Sequence, residues 1–270
     1  MKSKTIYVRS KIKKNIIPGV IGALILLFVV YISLCKYEKS ILQYMWNGKE
    51  LFMSAAESLN PVTDKVTIHT YQIMYGRFLL PYYYMNPSMK MLEIGLGCDM
   101  TYGPGASVAV WKKLFPKAEI WEAETDHLCV EKHKDGILKG INILVGDQGN
   151  DTVLDSWIEK SGSNFDVIID DGGHKNCQIY ESIQKLWGAL KPGGLYFIED
   201  LQVAKLPGYR NYQSNRCDSS LLMPDVLKKK IDELVYDETH GSNVEFIFCQ
   251  SEACVVGKKP DLKRGNDSNI

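Results

Sequence analysis

The chain lacks a net charge: 32 Lys and Arg stand against 32 Asp and Glu. It also lacks internal repeats, low-complexity tracts and any C-x-x-C pair. The missing charge argues against a nucleic-acid partner, which needs a basic surface. The missing repeats exclude solenoids and propellers. Cys98, Cys129, Cys177, Cys217, Cys249 and Cys254 are scattered, which argues against a thiolate metal cluster. Cys249 and Cys254 flank an expected hairpin turn, where a cross-strand disulfide and two free buried thiols are both open readings. What remains, 45% hydrophobic and 24% charged over 270 residues, is an ordinary globular composition with room for one large domain and appendages.

The zero sum hides an uneven distribution. Residues 1–15 carry Lys2, Lys4, Arg9, Lys11, Lys13 and Lys14 with no acid, so the rest of the chain has six more acids than bases. Ile16–Leu34 then runs for 19 residues without a charge. At 1.5 Å per residue such a helix spans roughly 28 Å, enough for a hydrocarbon core. A signal peptide has a shorter apolar core and ends in a small-residue cleavage site, which Tyr31–Cys35 does not offer. The run therefore reads as a retained transmembrane helix with the bilayer as partner. Only Lys36 and Lys39 follow it closely, so the excess of basic residues keeps the N-terminus cytosolic and sends the following domain across an endomembrane. Two sequons, at Asn150 and Asn266, matter only for a lumenal domain.

Residues 35–87 read as a helical stem or lid, with one helix over Glu50–Leu59 and another over Thr63–Leu80 capped by Thr63 or Asp64. From residue 88 to 258 short apolar runs alternate with helical stretches. Strands are expected at Lys90–Ile94, Glu119–Ala123, Asn142–Val145, Asp166–Ile169 and Leu195–Ile198, then a pair at Val244–Phe248 and Ala253–Val256. That alternation predicts an α/β fold, a Rossmann-like parallel sheet closed by an antiparallel hairpin. Residues 259–270 form a tail.

Open α/β sheets bind ligands at the carboxyl ends of their strands. The first ends Glu93-Ile94-Gly95-Leu96-Gly97, whose glycines let the backbone turn tightly against a ligand, although Met100 stands where a third glycine would complete a dinucleotide fingerprint. The second ends at Glu124, placed to accept ribose hydroxyls, with Asp126 a candidate helix cap. The third ends Gly146-Asp147-Gln148, where Asp147 is either an adenine ligand or a turn former. The fourth ends Asp170-Asp171-Gly172-Gly173-His174 and the fifth Glu199-Asp200. Neighbouring strands lie about 4.8 Å apart, so these acids converge. Carboxylates without thiolates suit Mg²⁺, Mn²⁺ or Ca²⁺, and His174 beside them is a candidate general base.

These motifs, with Leu190-Lys191-Pro192-Gly193-Gly194 before the fifth strand, resemble those of class I S-adenosylmethionine-dependent methyltransferases over residues 88–258. Within that class, the segments around Asp171 and Glu199 resemble the metal-dependent macrocin-type sugar O-methyltransferases. The chain is also similar to membrane-anchored fungal proteins described as hard-surface-induced. The resemblance implies that Asp171, Glu199 and Asp200 bind Mg²⁺, that His174 and Asp171 serve catalysis, and that Glu93, Gly95, Gly97, Glu124, Asp147, Gln148 and Asp170 surround S-adenosylmethionine. The implied acceptor is a hydroxyl of a sugar, glycan or small molecule. Gly173, often Ser in that family, and the apolar N-terminal run are departures. Two rivals stand beside this reading: a tethered binding protein that keeps the fold without catalysis, and an NAD-dependent oxidoreductase. The second has no Tyr-x-x-x-Lys pair placed for hydride chemistry.

Overall fold

The computed structural model describes residues 25–34, 36, 47–210, 217–236 and 243–261. The basic arm 1–15, residues 16–24 of the uncharged run, the Asn266 sequon and most of the tail lie outside the described residues. Residues 25–34 are helical, and their apolar side chains are exposed. No helix among the described residues is long and apolar enough to cross a membrane.

Seven strands form one sheet: β1 (Lys90–Ile94), β2 (Glu119–Glu124), β3 (Asn142–Val145), β4 (Phe165–Asp170), β5 (Leu190–Ile198), β6 (Val244–Cys249) and β7 (Cys254–Lys258). Their order is β3-β2-β1-β4-β5-β7-β6, with β1 to β5 parallel and β7 antiparallel to both β5 and β6. The expected sheet and closing hairpin are therefore present, with β7 inserted beside β5 and β6 at the edge. The fifth strand starts earlier than expected, because Phe165 pairs with Leu190 before a register shift restores pairing at Val167 and Leu195.

Alternation along the strands explains the two layers of core. In β5, Leu195 and Phe197 pack on one face, Tyr196 and Ile198 on the other. On the second face lie α7 (Asp151–Ser161), α8 (Asn176–Leu186) and α9 (Met223–Tyr236), which deliver Leu154, Trp157, Ile179, Leu186 and Leu227. On the first lies α5 (Ala106–Leu114), which delivers Val110 and Trp111. A short helix, α6 (His127–His133), follows β2 and is capped by Asp126, whose side chain accepts from Cys129 N.

The segment before β1 joins the same core. A helix over 47–57 (α1) buries Phe52 and Ala56 completely. Thr63 caps a helix as expected, but that helix, α2 (Asp64–Thr67), has four residues and stops at Ile68. A separate helical run follows: α3 (Gln72–Met74), a π-helical turn Tyr75–Leu79 and α4 (Leu80–Met85). The expected single helix over 63–80 is thus broken, and the break points Lys65, His69, Tyr71 and Tyr75 at the carboxyl end of the sheet. Phe52 stacks on Tyr75 at 5.2 Å, and Tyr75 meets Trp111 edge-on at 5.2 Å, so aromatic packing fixes this segment over the strand ends.

All six cysteines among the described residues are paired: Cys98–Cys129, Cys177–Cys217 and Cys249–Cys254. Of the two readings left open for Cys249 and Cys254, the disulfide is the one present. The other two bridges join residues 31 and 40 positions apart, a pairing that spacing alone does not reveal.

Candidate active site

A cavity of about 670 Å³ opens at the carboxyl ends of β1 to β4. Gly95 makes it possible. Its φ is +108°, and a Cβ there would lie 2.0 Å from the carbonyl oxygen of Asp171. No other residue fits, so the ends of β1 and β4 close together and shape one wall. Gly97 lines the same wall.

Glu124, at the end of β2, also lines the cavity and is nearly buried. Its Oε1 accepts from Thr125 N at 2.7 Å and Asp126 N at 2.9 Å, and Oε2 accepts from Leu96 N at 3.2 Å. Three backbone donors hold one carboxylate between two strand ends, with lone pairs left for a ligand. Asp147 lines the cavity too. Its Oδ1 accepts from Gly149 N and from Gln178 Nε2, both at 2.8 Å, so it shapes its own turn as well. Gln148 is a lining residue whose amide faces the protein: Oε1 accepts from Gly173 N at 2.9 Å and Nε2 donates to Asp170 at 2.7 Å. Asn150 caps α7 from an exposed position and is not part of the lining.

Two of the residues expected around the cofactor sit behind the wall instead. Glu93 is fully buried; its Oε2 accepts from Ser107 Oγ at 2.8 Å and Trp111 Nε1 at 2.7 Å. Asp170, 1% exposed, accepts from Gln148, from Ser182 Oγ at 2.5 Å and from Tyr196 OH at 3.3 Å. The reason is the period of a strand. Neighbours along it alternate faces, so the last residues of β1 and β4 cannot all reach the cavity. Burial pushes both carboxyl groups above their usual range; around Glu93, Lys65 offsets part of this, and around Asp170, Ser182 and Gln148 do.

The acids after β4 and β5 do converge. Asp171, His174 and Asp200 each offer one ligand atom within 4.8 Å of the others. His174 Nε2 lies 3.3 Å from Asp200 Oδ2. His174 and Asp200 both have left-handed backbones, with φ of 52° and 57°. Such conformations cost about 1 kcal/mol or more each and persist where the surroundings enforce them. The carboxylate oxygens of Asp171 and Asp200 suit a hard divalent cation such as Mg²⁺ or Mn²⁺, and the imidazole of His174 stands beside them. Glu199, the third expected ligand, is in a different environment. It is 1% exposed, with Oε2 at 2.7 Å from Lys65 Nζ and Oε1 taking the hydroxyl of Tyr75.

Four residues absent from the expected site complete it from the N-terminal side. Lys65, 1% exposed, places Nζ 2.5 Å from Asp171 Oδ2, 2.7 Å from Glu199 Oε2 and 3.5 Å from Glu93 Oε1. Burial alone would lower its pKa, but Asp171 and Glu199 hold the ammonium charged, well above the usual lysine range. Burial and the charge of Asp171 raise Glu199, partly offset by Lys65. Tyr71 OH donates to Asp200 Oδ1 at 2.6 Å and accepts from Asp200 N at 3.1 Å. His69 stacks on Tyr71 and bridges Glu252 Oε2, at 2.7 Å from Nδ1, to Asp200, whose Oδ1 is 3.5 Å from Nε2. Burial would raise Asp200, but His174, Tyr71 and Gln202 bring it below the usual carboxylate range.

No protein-family model matches the chain. Demethylmacrocin O-methyltransferase of Streptomyces fradiae is 31% identical over 192 residues, 68% of this chain and 46% of that one. The 8-demethyl-8-alpha-L-rhamnosyl tetracenomycin-C 2'-O-methyltransferase of Streptomyces olivaceus is 27% identical over 193 residues, 71% and 48% of the two chains. Among solved structures, the MycE methyltransferase from the mycinamycin biosynthetic pathway, in complex with Mg, SAH and mycinamycin VI, superposes with a TM-score of 0.59 at 28% identity. That match covers 73% of this chain and 50% of the other. The chain thus spans about half the length of the relatives it matches. It is a homologue of the macrocin-type O-methyltransferases and has the class I methyltransferase fold.

Proposed function

We propose that the protein is an S-adenosylmethionine-dependent O-methyltransferase acting on a hydroxyl of a sugar-bearing small molecule or glycan, assisted by a divalent cation, Mg²⁺ by preference. The observation that carries this reading is the convergence of Gly95, Glu124, Asp171, His174 and Asp200 on one cavity of a methyltransferase fold. S-adenosylmethionine brings a methyl group already activated on a sulfonium, and the cation brings positive charge beside the acceptor. Gly95 lets the ends of β1 and β4 close together into one wall of the cofactor site, and Gly97 lines that wall. Glu124 receives the ribose hydroxyls, and Asp147 the adenine edge. Asp171 and Asp200, each about one-fifth exposed, face the cavity and offer oxygens to the cation. His174 takes the proton of the acceptor hydroxyl, and Asp200 beside Nε2 orients the ring and stabilises the charge it gains. Lys65, Tyr71 and Tyr75 fix the acids from above. The sugar class rests on the names of the relatives.

The reading extends to location. The uncharged run Ile16–Leu34, whose described part is helical and exposes Leu26, Leu27 and Phe28 at 62–65%, supports one membrane span with the N-terminus cytosolic. Three disulfides support a domain that matures in an oxidising compartment, such as the lumen of an endomembrane or the cell exterior. Protease protection in sealed vesicles tests this: a domain digested without detergent from the cytosolic side refutes it.

For the activity, the purified chain is titrated with S-adenosylhomocysteine by calorimetry and then incubated with methyl-labelled cofactor, Mg²⁺ and a panel of glycosides, glycans and phenols. Micromolar binding and label transfer to a glycoside are expected. No binding at roughly 1 mM cofactor, about −4 kcal/mol, overturns the assignment.

A further inference from the structure

The turn between β6 and β7 reaches back to the carboxyl end of β5 and to the N-terminal segment, although Glu252 in that turn is 183 positions from His69. The Cys249–Cys254 disulfide closes the turn, and Glu252 stands in it with a left-handed backbone, φ 70°. Glu252 grips its surroundings at two points. Its carbonyl accepts from Leu201 N, the residue after Asp200, at 2.8 Å. Its Oε2 lies 2.7 Å from His69 Nδ1, and Nε2 of the same ring lies 3.5 Å from Asp200 Oδ1. The same turn holds the residue beside His69, since Gln250 Nε2 donates to Thr70 O at 3.0 Å. The two oxygens of Asp200 thereby differ. Oδ1 faces the protein, accepting from Tyr71 OH at 2.6 Å and Gln202 Nε2 at 3.1 Å, while Oδ2 lies 3.3 Å from His174 Nε2.

We propose that Glu252 is a positioning residue for Asp200: its side chain holds the His69 ring against Oδ1 and its carbonyl fixes the following peptide, so that Oδ2 stays presented to His174 and the cation. The inference rests on the cation-assisted reading above and leaves the ligand residues of that reading as they are. Its physical ground is the cost of orienting Asp200. The backbone of Asp200 is left-handed, with φ 57°, a conformation that persists where the surroundings enforce it. A carboxylate that turns freely must be ordered when an ion binds, whereas one already held gives up less entropy. Partners one step removed from a metal ion commonly change its affinity by about 10–100-fold when they are lost. Glu252 does not line the cavity, so it acts through His69 and not on the substrate.

The test uses the full chain in detergent with S-adenosylhomocysteine present, titrated with Mn²⁺ and followed by calorimetry and by the Mn²⁺ spin-resonance signal. Glu252→Ala keeps the carbonyl bond to Leu201 and removes only the side-chain arm. It is expected to weaken Mn²⁺ by more than about threefold, typically about tenfold. Cofactor affinity and Tm should stay near parental, because this side chain is about one-third exposed. Glu252→Gln, which keeps an oxygen for His69 to donate to, is expected to stay within about threefold of the parent. Adding Glu252→Ala to His69→Ala should weaken Mn²⁺ no further, because the arm runs through that ring. The proposal is overturned if Glu252→Ala leaves Mn²⁺ affinity within about threefold, if Glu252→Gln is as weak as Glu252→Ala, or if the two alanine effects add in full. It is also overturned if cofactor affinity and Tm fall together with Mn²⁺ affinity, since that marks a merely structural role. A parental chain that binds cofactor but no Mn²⁺ sinks this inference and the cation, and leaves the methyltransferase reading standing. One that binds neither sinks both.

Discussion

Gly95→Ala puts a number on how closely β1 and β4 are joined. Two effects act on the substitution, and a second glycine separates them. Gly140 also has a positive φ, +81°, but a Cβ there meets nothing within 4 Å. Gly140→Ala therefore carries only the backbone strain of a left-handed residue, about 1–2 kcal/mol, less the roughly 0.4–1 kcal/mol gained by restricting the unfolded chain. Gly95→Ala adds a contact of 2.0 Å to Asp171 O and 2.7 Å to Asp171 C, both backbone atoms that no rotamer change relieves. Overpacking of that kind costs about 1–3 kcal/mol more, for a total of about 2–4 kcal/mol. At roughly 2–4 °C per kcal/mol for a domain of this size, Tm falls by about 5–15 °C, against about 1–5 °C for Gly140→Ala. Asp171 moves with its carbonyl, so the variant also loses cation and cofactor affinity, and Gly140→Ala does not. The assay is a melting curve with and without S-adenosylhomocysteine, paired with calorimetry. If the two variants melt together and bind cofactor alike, the close approach of Gly95 to Asp171 does not control the site.

Three further outcomes are expected. His174→Ala retains cofactor binding in calorimetry and loses turnover by about 10²–10⁴ in a labelled-methyl assay; parental turnover would exclude His174 as the base. Glu122 is fully buried, and burial together with the neighbouring Glu93 raises its pKa well above the usual range. The folded state therefore holds this proton more tightly than the unfolded chain, and the associated stability is full below about pH 4 and drains away as pH rises toward the raised value. Glu122→Gln should accordingly melt higher than the parent at pH 8, with the gap narrowing at pH 4; a gap that widens at pH 4 would contradict the assigned sign. Removing the Cys177–Cys217 bridge, whose ends are 40 positions apart, with a Ser pair releases about 4 kcal/mol of loop entropy in the unfolded chain, so a fall in Tm on the order of 10 °C is expected and an unchanged Tm would speak against the pairing.

The parts of the site carried by strand ends were legible in the sequence, since a strand's end and its alternation are local properties. β1 matches its expected bounds, and Glu124, Asp171, His174 and Asp200 gather where the α/β topology sends them. Glu93 and Asp170 were harder, because the face that a terminal strand residue takes depends on one position of register. Lys65 and Tyr75 were illegible for another reason. In an uninterrupted amphipathic helix over 63–80 a lysine belongs to the solvent face, and only the break at Ile68 turns it inward. Its partners are 106 and 134 positions away, a separation no local pattern records. The remote disulfides share that difficulty.

The insertion of β7 between β5 and β6 has a consequence for synthesis. Leu195 to Ile198 wait for Cys254 to Gly257 as their antiparallel partners, and Leu201 N waits for Glu252 O at 2.8 Å. Until those last strands emerge from the ribosome, β5 is an open edge, with Glu199 and Asp200 at its tip unsupported on one side. Lys65 and Tyr75, made long before, then meet Glu199 on a strand end whose outer edge is still open. The cavity end of this molecule is therefore a late product of its own translation, and a nascent chain cut off before residue 252 would present a sticky strand where the finished sheet has a paired one.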